Sequence, residues 1–148
     1  MKQEIEEYAA APRDTNRESA LTQRLRQLPE EERFKLIWEC LQSHTSLGLR
    51  LGTACLQKPG YFQQILEYGL QRADASTIRC WLECVVPKLG FRRVISVLTQ
   101  TLETNPRAVE KTLYWLPLFL PRDDERAVEA WTSLRMKAEP QELATALA

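Results

Sequence analysis

Apolar residues return every three or four positions along most of this chain, and nowhere does a clean apolar–polar alternation bounded by turn residues appear. The clearest case is Phe34, Ile37, Trp38 and Leu41, spaced i, i+3, i+4 and i+7, which puts all four on one face of a helix. Pro29 ahead of them supplies a first-turn proline, and Glu30, Glu31 and Glu32 place acids at the positive end of the helix dipole. A pattern of this period predicts an all-α fold, here of about seven helices, and leaves no segment for a sheet.

Punctuation divides the pattern. Asp14, Thr15 and Asn16 are N-cap candidates for a helix that reaches about Leu28 with Leu21 and Leu25 on its stripe. A helix is expected over 45–57, broken by Pro59-Gly60, and another over 61–72. Asp74 caps the next, which buries Ile78, Trp81, Leu82, Val85 and Val86 before the chain turns between Pro87 and Gly90. Residues 91–103 follow. Asn105-Pro106, a cap and a first-turn proline, opens a helix expected to reach about Leu120, with Pro117 kinking or shortening it. Asp123 and Asp124 open the last, with Val128, Trp131 and Leu134 inward. The organisation expected is a flexible or short helical arm over 1–13, one helical domain over 14–138 and a tail over 139–148. Connections of two to five residues make successive helices antiparallel neighbours.

Charge and apolar run length narrow the function classes. Twenty basic residues balance twenty acidic ones, which argues against general nucleic-acid or membrane-surface binding. No apolar run approaches the ~20 residues that cross a bilayer; the longest, 113–120, contains Pro117. Acidic residues stand where a signal peptide would be basic and then apolar. The four cysteines lie inside helical patterns, as reduced buried thiols would, and a cytoplasmic location is expected.

Parts of the pattern recur. Lys58-Pro59-Gly60-Tyr61 with Ile65 aligns with Lys88-Leu89-Gly90-Phe91 with Ile95, about thirty residues on. Trp81-Leu82 and Val86-Pro87-Lys88 align with Trp115-Leu116 and Leu120-Pro121-Arg122, about thirty-four residues on. On hairpin length and apolar spacing, the C-terminal two-thirds of the chain resembles an α-helical repeat protein of the HEAT or armadillo kind, although its units are shorter than the usual HEAT length. The tetratricopeptide pattern fits the length but fails on residues, since its Leu-Gly pair would fall on Cys84-Val85. The HEAT-like resemblance implies helical hairpins stacked as in an α-solenoid, the alternative being a layered helical bundle. Stacked hairpins bind other macromolecules along their faces.

The function expected is therefore a non-enzymatic interaction module or adaptor presenting a groove between hairpins to another protein or peptide, an acidic one included. Lys58, Lys88, Arg92, Arg93 and Arg122 supply charge at the unit edges, and Tyr61, Tyr68 and Tyr114 are the amphipathic anchors. If the units stack, Lys58, Lys88 and Arg122 form a basic ladder. Nucleic acid is the alternative partner. A small enzyme using His44, the single histidine, is a weaker alternative. No cofactor and no metal are expected; the lesser metal alternative pairs Cys40 and His44 with Cys80 and Cys84, each pair four residues apart on a helix. Polar first and last helices can cap both ends of a monomer, with a homo-oligomer as the other outcome.

Overall fold

Each stretch with a helical apolar period becomes a helix that buries that stripe. The computed structural model describes the backbone of residues 1–147 and the side chains of residues 1–139. Its helices are α1 (Lys2–Ala10), α2 (Thr15–Arg26), α3 (Glu30–Ser43), α4 (Thr45–Cys55), α5 (Pro59–Arg72), α6 (Ile78–Leu89), α7 (Phe91–Thr104), α8 (Pro106–Leu113) and α9 (Glu125–Leu147), with one 3-10 turn at Leu116–Leu118. No strand occurs among the described residues. None of these helices is long and apolar enough to cross a membrane.

Helix starts follow the capping chemistry. Asp14 accepts from the amides of Asn16 and Arg17 at 3.0 and 3.2 Å, and Asn105 accepts from Ala108 at 3.3 Å. Asp124 receives the amides of Arg126 and Ala127 at 3.1 and 3.2 Å. Pro59 opens α5 rather than ending the element before it, because a proline needs no amide partner in a first turn. The arm predicted over 1–13 holds α1, which is anchored by buried Ile5 and Tyr8. The tail predicted over 139–148 continues the backbone of α9 to Leu147, and its side chains beyond Glu139 lie outside the described residues.

The chain divides into two compact units, Met1–Tyr61 and Phe62–Ala148, where the sequence predicts one domain over 14–138. In the first unit, Leu25, Ile37, Leu41, Leu51 and Leu56 are almost wholly enclosed, each worth about 1.5–3 kcal/mol in removed apolar surface. Here α3 and α4 meet closely because Gly48 has no side chain: a Cβ there would stand 2.8 Å from the backbone of Leu41. Two arginines occupy helix ends that would otherwise leave carbonyls unpaired. Arg26 donates to the Ala54 carbonyl at 2.9 and 3.1 Å, and Arg33 to those of Arg26, Leu28 and Cys55 at 2.7, 2.7 and 3.0 Å. Between α2 and α4, Arg50 forks onto Glu18, with Nη2 at 2.8 Å, and the Tyr8 hydroxyl donates to the same carboxylate at 3.0 Å.

In the second unit the core is built from Phe62, Ile65 and Leu66 of α5, Ile78, Leu82 and Val85 of α6, Val94 and Leu98 of α7, Val109 of α8, and Ala127 and Leu134 of α9. Trp81 lies directly on Gly69, where a Cβ would meet the indole at 2.6 Å. The Lys111 ammonium donates to the Leu70 and Ala73 carbonyls and so closes the end of α5. Gly90, at φ 93°, makes the turn from α6 to α7 in a conformation that a side chain would strain.

Overpacking makes Gly48→Ala and Gly69→Ala each destabilising by about 1–3 kcal/mol in urea unfolding. Gly60→Ala, with nothing within 4 Å of its added methyl, should be neutral or stabilising by up to about 1 kcal/mol. Equal stability of Gly48→Ala and wild type would refute the close approach of α3 and α4. A second expectation concerns acid. The Arg50 fork and the Tyr8 hydroxyl hold the Glu18 carboxyl below its ordinary 4.5 against the opposing effect of burial. Stability from this group is present above pH 4.5 and is lost as pH falls through the folded-state value. Glu18→Gln should therefore be less stable than wild type at pH 7 and should lose less on acidification below 4.5.

Candidate partner-binding surface

The helix expected to run from Asn105-Pro106 to about Leu120 stops at Leu113. Pro117 has no amide to donate back to Leu113, and its ring crowds that carbonyl, which disfavours continuing the helix here. The chain instead passes through single 3-10 turns: the amides of Leu118 and Phe119 reach the carbonyls of Trp115 and Leu116 at 3.1 and 2.9 Å. Leu116 is fully enclosed and pins this connection to the core. Trp115 pins its start, donating from Nε1 to the Ala75 carbonyl at 2.9 Å while the Arg79 guanidinium lies 5.3 Å from its ring centre. The residues between these pins turn outward. Tyr114 is 79% and Leu118 64% exposed, the most exposed large apolar residues of the unit among the described residues together with Met136 of α9.

The far end of the connection faces the start of α7. Leu89, Phe91, Arg92, Arg93, Pro121 and Asp124 line a cleft of about 490 Å³ there. Arg92 and Arg93 are exposed, and neither has an ion-pair or hydrogen-bond partner among the described residues. Asp124 lines the same cleft with its Oδ1 on the first amides of α9 and makes no ion pair with either arginine, so its single charge leaves one of the two cations unmatched. Two adjacent cations in the first turn of a helix oppose both each other and the helix dipole. Nothing in the packing of α7 requires them.

The other residues singled out from sequence are placed as follows. Arg122 is exposed on the same connection. Lys88 is half-buried in the last turn of α6, whereas Lys58 is exposed on the loop before α5, its amide donating to Glu30 at 3.0 Å. The aligned glycines differ in the same way, Gly60 inside the first turn of α5 and Gly90 between two helices at positive φ. Trp81 is buried in a helix, but its aligned partner Trp115 is half-exposed in a turn. Tyr61 and Tyr68 are half-buried and packed within the protein. Tyr61 stacks on Phe34 at 4.3 Å, and Tyr68 lies 5.8 Å from Trp81 with Arg72 over its ring. Leu118, Pro121 and Trp115 belong to the surface although the sequence reading did not select them; Pro117 was the signal that could have drawn attention to their segment.

The Cys40, His44, Cys80 and Cys84 pairs do not converge within their helices. Cys40 and Cys84 are buried, while His44 and Cys80 are exposed. Among the described residues no three His, Cys, Asp or Glu side chains come together as ligands for a metal. Burial pushes the Cys40 thiol up to about 11, and its Sγ points at the carbonyl of His44 at 3.8 Å, not at the imidazole. A larger cleft of about 550 Å³ lies beside these residues between α1 and α3, with Lys2 and Glu39 of its lining paired at 3.5 Å. Cys40 stays a protonated thiol there, which makes it a poor nucleophile or ligand.

Protein-family models, curated proteins and solved structures were each compared with this chain, and none matches it.

Arg92→Glu or Arg93→Glu, which puts a carboxylate at the positive end of α7, should stabilise the fold by about 0.3–1 kcal/mol at low salt. Thermal unfolding checks this; a lower melting temperature for both variants would mean that the arginines hold the fold together.

Proposed function

We propose that this chain is a non-enzymatic protein-interaction module whose partner-binding surface is the connection from α8 to α9. The observation that carries this reading is the outward display of Tyr114 and Leu118, at 79% and 64% exposure, on a segment held rigid by buried Leu116 and the bonded Trp115 indole. Large apolar side chains fixed in water gain by being covered, and a tyrosine with few rotatable bonds loses little entropy when a partner covers it. Burial keeps the Cys40 thiol protonated and so a poor nucleophile, which favours binding over catalysis at the cleft it lines. A net charge of zero favours a protein or peptide over nucleic acid.

The test compares wild type with Tyr114→Ser/Leu118→Ser. Both side chains are exposed, so the double variant should unfold within about 0.5 kcal/mol per site of wild type. Affinity capture from the native cell with each protein should retain at least one partner on wild type that the variant loses. Identical captured sets from the two proteins would overturn this reading.

A further inference from the structure

Resting on the protein-interaction reading, we infer that the partner is an acidic peptide segment with an apolar anchor set apart from its carboxylates by about 13 Å. The distance comes from the connection that joins the two ends. Trp115 is tied to Ala75, just before α6 begins, and Pro121 lines the cleft with Leu89 and Gly90, where α6 ends. From Trp115 to Pro121 the connection holds three successive 3-10 bonds, and at about 2 Å per residue, with one extended step to Pro121, it advances about 13 Å. Exposed Tyr114 marks one end of that path and Leu118 its middle. The cleft with Arg92 and Arg93 marks the other.

Charge decides what lies at the second end. Arg79, at the first, is already matched by Glu83 at 2.9 Å. Among the described residues Arg92 and Arg93 have no such ion pair, and Asp124, the one carboxylate lining their cleft, leaves the pair with an excess positive charge. Two guanidinium forks beside the apolar walls of Leu89, Phe91 and Pro121 suit carboxylates whose neighbouring carbons are themselves apolar, as in Asp or Glu next to Leu or Phe. A segment in extended form would bridge anchor and acids with about four residues, and a helical one with about nine.

The experiment is selection of random peptides displayed on phage, long enough to span both ends, against the full chain, followed by fluorescence polarisation of the enriched peptides. Each is measured on wild type, Arg92→Glu/Arg93→Glu and Tyr114→Ser/Leu118→Ser. The expected peptides carry Asp or Glu together with a separate aromatic or aliphatic residue. They lose about tenfold or more in affinity on each double variant and weaken between about 0.05 M and 0.3 M salt. Enriched peptides without an acidic bias, or indifferent to Arg92→Glu/Arg93→Glu yet lost on Tyr114→Ser/Leu118→Ser, overturn this inference and leave the interaction reading standing. Peptides indifferent to both variants, or no enrichment at all, overturn the two together.

Discussion

A proline without an amide proton decides the shape of the second unit's surface. Because Pro117 lacks the amide that would bond back to the Leu113 carbonyl, the backbone after Leu113 is satisfied by short turns, and those turns point alternate side chains in opposite directions. Leu116 goes fully inward, while Tyr114 and Leu118 go outward. Had the helix run on to Leu120, a continuous apolar run would have needed cover on every side. The break divides it into a pin and a display. Lys111, four residues before Trp115, closes the end of α5.

The first unit solves a different problem with charge and with the lack of a side chain. Its helices are short, and short helices expose a large share of their terminal carbonyls. Arg26 and Arg33 reach from α2 and α3 into those ends, and Glu30 receives two amides of the loop before α5 at 2.7 and 3.0 Å. The Arg33 bond to Cys55 and the two at Glu30 join α3 to the end of α4 and the loop that follows it, and Gly48 lets those two helices come close.

Arg92 and Arg93 stand apart from this economy. Arg107 and Arg126 also stand exposed in first turns, those of α8 and α9, but neither lines the cleft. Arg92 and Arg93 sit where the dipole repels them and face a cleft. A local choice that works against the fold is informative about function, because the fold alone would not retain it. Their place at the end of a displayed apolar strip gives the pair a use.

The all-helical class, the helix starts at Asp14 and Asn105 and the inward stripes of α3, α6 and α7 were legible from residue order, since caps and apolar period act over a few residues and need no distant partner. So was the pairing of Arg92 with Arg93 at one turn. What residue order could not convey is which of three tyrosines faces outward: Tyr61 and Tyr68 are covered by Phe34 and Trp81, residues far from them in the chain, and Tyr114 is not. Nor could it convey that aligned glycines and tryptophans take unlike places, or that the chain divides after Tyr61. Cover by distant residues is a property of packing. The sequence by itself determined where helices begin and which side of each is apolar; only the tertiary structure decided which apolar and charged groups were left in water.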